Sequence, residues 1–314
     1  MKIIREIDAD KSAPTGQHAI SYPQISIRTN RTPDRTNLDE IVEIADNAAA
    51  QFPIEDQAHR SEAVFKKLTS YFGSGTLGHA WIIIFNSDKD GDYTSYGFHD
   101  KYGFVKNGTG GGTNDRPDRK FNISLTVPLK NLEETQSNLE QNVIPNLIIQ
   151  SNIVANAMGL PTNEVSGVYT PINNCSWFAG NVWNAIKDEP LVFEQDFDGA
   201  AHAYNWGMPF LNDVTSIGDP GMIAESIADI DQSKITLKDV TLSLGEKWDR
   251  ELPFVSCLDE KGNTVEWKDS RISSNGLNID TSKAGVYNNI KYTFNGEQGK
   301  VDSNPITINV KIMM

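Results

Sequence analysis

Three side chains carry the chemistry that this sequence could perform. Cys175 stands in Asn173-Asn174-Cys175-Ser176-Trp177-Phe178. From Asn174 to Ile186, Phe178, Val182, Trp183 and Ile186 recur at helical spacing, so the thiol falls in a first helical turn. Exposed backbone N–H groups and the helix dipole favour a thiolate there. A thiolate is a strong nucleophile near neutral pH, and the same N–H groups can stabilise an oxyanion. A free cysteine is more often a small buried hydrophobe, so the position needs partners before it means catalysis.

The partners are histidines. His79 follows Gly78 and opens the apolar run Ala80-Trp81-Ile82-Ile83-Ile84-Phe85, while His99 closes Tyr93-Thr94-Ser95-Tyr96-Gly97-Phe98-His99. Both runs read as strands of one hairpin. A turn centred near residue 89 sets His79 opposite His99, and alternation puts residues 95, 97 and 99 on one face. A base His79 oriented by His99 is the expected pair, against the plainer reading of two strand-end histidines reaching solvent. Ser95 and Asp100 are the alternatives for the third position. Trp81 and Trp177 flank the group, either as core or as a platform for substrate.

Other signals are weaker. The run of Asn86, Asp88, Asp90, Gly91 and Asp92 resembles half of a calcium loop, but Gly97 stands where the closing acid belongs, so it reads as a polar hairpin turn. Gly110-Gly111-Gly112 lacks the Lys and Ser/Thr of a phosphate loop and reads as a mobile segment. The five histidines form no HxxxH and the two cysteines no CxxC, so neither a metal nor a cofactor is expected. Cys175 and Cys257 fall in different expected domains and are not expected to pair.

The elements that must hold these groups follow from periodicity. Residues 1–36 read as an irregular or partly extended lead-in broken by Pro14, Pro23 and Pro33. Helices are expected from Asn37 and over 55–72. A loop covers 106–119, a strand 121–127, and a helix kinked at Pro145 runs from 129 to 158. Val168-Tyr169-Thr170 suggests a short strand. Residues 188–234 read as loop with a helix near 222–230. From 235 onward all is strand and turn, as in a β-sandwich.

Length and charge agree with two domains, 1–234 and 235–314. The chain has 314 residues and a net charge of −14. Residues 236–314 hold 10 basic and 11 acidic side chains, so nearly all the excess lies before them. An acidic surface disfavours nucleic acid as a partner. No apolar run approaches the ~18 residues of a membrane span, and no Sec signal peptide is visible at the start.

The order of these motifs resembles a known family. Gly78-His79-Ala80-Trp81-Ile82, a strand ending in His99, and the later Asn174-Cys175-Ser176-Trp177-Phe178 are similar to the circularly permuted branch of the NlpC-type papain-like superfamily. That branch includes lecithin:retinol acyltransferase-like enzymes and bacterial cell-wall amidases. The resemblance spans about residues 75–187, although the gap from 79 to 99 is longer than in the acyltransferase-like members. It implies an α+β papain-like (permuted) catalytic domain with Cys175, His79 and His99 in the catalytic group. The tail resembles bacterial Ig-like domains, through Leu244-Gly245-Glu246-Lys247-Trp248 and Asp280-Thr281-Ser282-Lys283-Ala284-Gly285-Val286-Tyr287 among others, with Tyr287 able to pin a strand corner. Together these resemblances imply a thiol amidase acting on peptide amides of peptidoglycan. Such an enzyme would be secreted or delivered into a rival cell's periplasm, with an immunity protein as its partner in the producer. The alternatives are a lipid acyltransferase or thioesterase using the same residues, and a non-enzymatic surface binding protein.

Overall fold

Continuous apolar runs bounded by Gly and Pro need both faces covered, and here they become the middle of a sheet. The computed structural model describes residues 4–312 apart from 19, 74, 188–189, 231, 277 and 297–298. The chain is mixed α/β and divides into two compact units, Met1–Ala228 and Asp229–Met314.

The first unit is built on six antiparallel strands: β1 (Ile4–Lys11), β2 (Gln24–Thr29), β3 (Ala80–Phe85), β4 (Tyr93–His99), β5 (Gly103–Lys106) and β6 (Phe121–Pro128), in the spatial order β1-β6-β2-β3-β4-β5. The lead-in, expected to be irregular or partly extended, therefore supplies two strands, one of them central. Its pattern misleads because Gln24, Ser26 and Arg28 mimic a solvated face but are buried. Arg28 donates from Nη1 to Pro117 O at 2.7 Å and from Nη2 to Ala13 O at 2.8 Å, with its guanidinium over the rings of Phe121 and Phe85. One buried cation thus pins the end of the 106–119 loop to the sheet.

Among the described residues this unit holds seven α-helices: α1 (Leu38–Ala49), α2 (Gln57–Gly73), α3 (Leu132–Asn138), α4 (Ile144–Ala157), α5 (Cys175–Ile186), α6 (Gly199–Trp206) and α7 (Pro220–Ala228). Between α3 and α4 a single π-helical turn, Leu139–Val143, absorbs the disruption expected at Pro145, which itself sits in the first turn of α4. Residues 168–170 form no strand. The helix expected near 222–230 is α7, and the loop expected before it also holds α6 and the short pair β7 (Glu194–Asp196) with β8 (Ser216–Gly218). Helix α5 lies against β3 and β4, where Phe98 stacks on Phe178 at 5.5 Å and meets the edge of Trp177 at 5.9 Å.

The second unit is all β: β9 (Lys234–Leu237), β10 (Val240–Ser243), β11 (Phe254–Leu258), β12 (Ile272–Ser274), β13 (Gly285–Ile290), β14 (Tyr292–Gly296), β15 (Gly299–Asp302) and β16 (Ile306–Lys311). They form sheets β10-β16-β13, β12-β14-β15 and β9-β11. A separate core holds Ile235, Cys257, Tyr292, Phe294 and Ile308. The Tyr287 hydroxyl donates to Asp280 O and accepts from Asp280 N, closing a corner. Because this core is self-contained, a fragment of residues 229–314 should show a β-type circular dichroism spectrum and one cooperative thermal transition. A disordered fragment would contradict the division.

Candidate active site

The hairpin brings the two histidines together. The β3–β4 register pairs Ile82 with Tyr96. Continued outward it sets residue 79 against residue 99, and the two rings lie 4.8 Å apart. They do not bond each other. Between them stands Asp115, buried in the 106–119 loop: His79 Nε2 reaches its Oδ1 at 2.8 Å and His99 Nε2 its Oδ2 at 2.6 Å. The carboxylate, not His99, therefore orients His79, and His99 holds the carboxylate from its other side. Ser95 and Asp100 take neither role: the Ser95 hydroxyl is buried without a partner, and Asp100 is exposed.

Sequence reasoning missed Asp115 because the loop has no periodicity to rank it above its polar neighbours. The usable signal was Gly97, a glycine inside a strand, which often marks a close approach. A Cβ there would overlap Asp115 Oδ2 and lie 2.6 Å from His99 Nε2. The loop is closed at its base by Asp115 N donating to Gly108 O at 3.0 Å.

Cys175 is the first residue of α5. Its cap, Asn174, is fully engaged: Oδ1 accepts from Ser176 N and Trp177 N at 3.0 and 3.1 Å, and Nδ2 donates to Gly218 O at 2.7 Å and Pro171 O at 3.2 Å. This corrects the expectation that the first-turn N–H groups are free for an oxyanion. The N–H of Cys175 itself turns to the Tyr169 hydroxyl. A second donor lies beside it, since the Tyr169 hydroxyl points at Cys175 Sγ from 4.0 Å. The sulfur also takes a hydrogen bond from the Ala80 N–H and one from His79. With Nε2 of His79 committed to Asp115, Nδ1 is the nitrogen left to meet the sulfur.

Gly78 aims this histidine. It holds φ +88°, a region side chains avoid, and Asn30 Oδ1 accepts the His79 N–H at 2.7 Å. Trp81 stacks on the His79 ring at 5.4 Å and carries the Arg119 guanidinium at 4.6 Å. Trp81 is fully buried and Trp177 nearly so, so both rings pack the site and neither has a free face for a substrate.

The charges are mutually dependent. Burial pushes the Asp115 carboxyl up, but His79 and then His99 hold it well below the usual carboxylate range. Burial pulls the His79 imidazole down, yet the charge and hydrogen bond of Asp115, with Cys175, raise it to about 9. Burial opposes ionisation of Cys175, and the hydrogen bond and charge of His79 overcome it, so the thiol lies below its ordinary value. Tyr169 is pushed well above the usual phenol value by burial and by the sulfur's charge, so it stays a donor. The arrangement supports a thiolate–imidazolium pair. His79, His99 and Asp115 are also the one group of side chains, among the described residues, whose ligand atoms lie close enough (within 4.8 Å) to share a metal ion. Cys257, by contrast, sits in β11, where burial pushes its thiol up to about 11.

Comparison with known proteins adds one assignment. Residues 235–311 match the family model described as bacterial Ig-like domain (group 3). None of the curated proteins compared with the chain matches it.

The two thiols should become reactive in different pH ranges. Iodoacetamide should alkylate Cys175 from below the ordinary thiol range, and Cys257 only as the pH approaches 11. Peptide mapping of the labelled protein reads both, and equal rates would contradict the pairing of Cys175 with His79. The His79 value also sets a stability trend. Its folded value lies above the ordinary imidazole value of about 6.5, so its charge supports the fold fully below that pH. The support is lost as pH rises through about 9. Thermal midpoints of the intact protein should therefore fall across that window, and less so in His79→Gln.

Proposed function

We propose that the first unit is a cysteine hydrolase of permuted papain-like architecture that cleaves peptide amides of peptidoglycan. The observation that carries this reading is the chain Cys175–His79–Asp115, with the thiol at a helix N-terminus and the imidazole held by a buried carboxylate. The motif order His79, His99, Cys175 and a helix packed on an antiparallel sheet support the resemblance. Asp115 fills the third position that the motifs left open.

The reaction follows from these positions. The Cys175 thiolate attacks the amide carbonyl carbon, and the charge on its oxygen is met by the Cys175 N–H and the Tyr169 hydroxyl. The His79 imidazolium protonates the departing amine as the C–N bond breaks. Neutral His79 then takes a proton from water, whose oxygen attacks the thioester, and the thiolate leaves with the acid released. Asp115 keeps the ring's Nε2–H fixed throughout, as a positioning residue.

The acyl-chain alternative would need an apolar channel. The fully apolar cavity beside the loop before α5, lined by Ile41, Leu68, Pro171, Ile172 and Trp206, holds only about 50 Å³. That cavity by itself is too small to take a fatty chain. The Ig-like match at 235–311 supports an exported protein, and a cell-wall substrate places delivery in the periplasm of a target cell, with an immunity protein as partner in the producer. No helix among the described residues is long and apolar enough to cross a membrane.

Purified peptidoglycan, and separately a phospholipid, should be offered to the protein with Cys175→Ala as blank. Release of free amines from peptidoglycan is the expected outcome. His79→Ala should lower the rate by about 10²–10⁴-fold, the usual worth of a proton-transfer group. His99→Ala should lower it less, because Asp115 still reaches His79. Acyl transfer from the phospholipid, or full activity in His79→Ala, would overturn the reading.

A further inference from the structure

Two imidazoles converge on one buried carboxylate, and the proposed chemistry moves protons on only one of them. His79 Nε2 meets Asp115 Oδ1 at 2.8 Å, and His99 Nε2 meets Asp115 Oδ2 at 2.6 Å. Both nitrogens aim at the same anion, and each carries its proton there. Two imidazoles and a carboxylate are a donor set suited to zinc, whereas calcium and magnesium take oxygen ligands. The three ligand atoms lie within 4.8 Å of one another, the nearest pair at 2.6 Å. The edge of a zinc tetrahedron is about 3.4 Å, so side-chain shifts of about 1 Å bring all three onto one ion.

Charge fits as well as distance. Asp115 and His99 are buried, where an added charge is costly. Zinc enters in exchange for the two Nε2 protons, since only an unprotonated nitrogen can ligate. Two positive charges replace two, and the net charge of the buried group does not change. The side chains of His79 and Arg119 are 12% and 25% exposed, so the ion's approach is from their side. Arg119 is a cation facing the group, with Nη1 3.3 Å from Asp115 Oδ1 and 2.6 Å from Asn114 O. It can release the longer contact and keep the shorter as the carboxylate turns to the metal. The sulfur of Cys175 takes its hydrogen bond from the other edge of the His79 ring and stays outside the ligand set.

We propose that His79, Asp115 and His99 form a zinc site, and that zinc bound there switches the thiol site off. The switch rests on the reading of His79 as the acid and base of an amide-cleaving pair. A ring whose Nε2 is bound to zinc keeps one proton, at Nδ1 beside the sulfur. Giving that proton to a departing amine leaves an imidazolate, and while the proton stays the ring has no lone pair with which to take one from water. Zinc thus freezes the base in one state. His99 gains a role of its own as a ligand, beyond support of the carboxylate.

The test separates binding from cleavage. The intact Cys175→Ala protein, which lacks the thiol as a competing ligand, is titrated calorimetrically with zinc chloride. One site per chain is expected, and adding His99→Gln should weaken it by at least about 10-fold, the least that a lost support around a metal costs. A circular dichroism melt of the variant confirms that it folds. A second measurement needs no change at the histidines: cobalt bound to the parent protein should show the visible bands of a four-coordinate ion without a sulfur-to-cobalt band in the near ultraviolet. Iodoacetamide should still alkylate Cys175 at saturating zinc. Binding lost with Cys175, binding unchanged in folded His99→Gln, or a sulfur-to-cobalt band would overturn the site. In the protein with Cys175 intact, zinc should abolish amine release from peptidoglycan and a chelator should restore it, and cleavage that continues at saturating zinc would overturn the switch. Zinc binding that depends on His99, with no cleavage under any condition, would uphold the metal site while refuting the amidase reading, so the two can fail separately.

Discussion

The carboxylate of Asp115 is a charge removed from water, and the neighbouring structure is arranged to compensate it. An uncompensated buried carboxylate costs several kcal/mol, so each oxygen must meet donors. One takes His79 and, more distantly, Arg119; the other takes His99. The surrounding construction keeps these donors in range. Gly97 leaves out the one methyl-sized group that would occupy the carboxylate's place. Arg28, from a central strand, holds Pro117 and so fixes the loop between Asp115 and Arg119. The Gly108–Asp115 backbone bond closes that loop where it leaves the sheet.

From this charge the reactivity of the thiol follows in sequence. Asp115 favours protonated His79, and protonated His79 favours ionised Cys175. The helix contributes position as much as field, because Asn174 takes two of its first-turn N–H groups for itself. In the proposed hydrolase, oxyanion stabilisation is assigned to the Cys175 N–H and to Tyr169, a residue outside any helix or strand. The site is thus assembled from one hairpin, one helix N-terminus and two loops, with the rigid elements supplying the reacting atoms and the loops supplying their support.

What the sequence disclosed divides along the same line. Cys175, His79 and His99 were legible because each sits at the end of a periodic element, where pattern alone says which way a side chain points. The 79–99 pairing followed from the turn near residue 89. Asp115 and Tyr169 were not legible, since position within an irregular loop depends on tertiary contacts that no period encodes. Strand β2 was hidden for a related reason: its polar residues are buried by a cation reaching two loop carbonyls, which in sequence looks like a solvated face. Helix α6 was missed because its apolar face meets α1 and α2 through only a few residues such as Ala203 and Trp206, in a segment crowded with Gly and Pro. The strand-and-turn rhythm of the tail, by contrast, was plain enough to carry its resemblance to an Ig-like domain.

The dependence of the thiol on Asp115 is open to direct measurement through the ultraviolet absorbance of thiolate, followed against pH in the intact protein and in Asp115→Asn, with Cys175→Ala as reference. The account predicts that the Cys175 thiolate signal appears below the ordinary thiol range in the parent protein. In Asp115→Asn the signal should appear only at clearly higher pH, because His79 no longer keeps its proton. A thiolate signal unchanged by Asp115→Asn, or none in the parent below the ordinary thiol range, would contradict it.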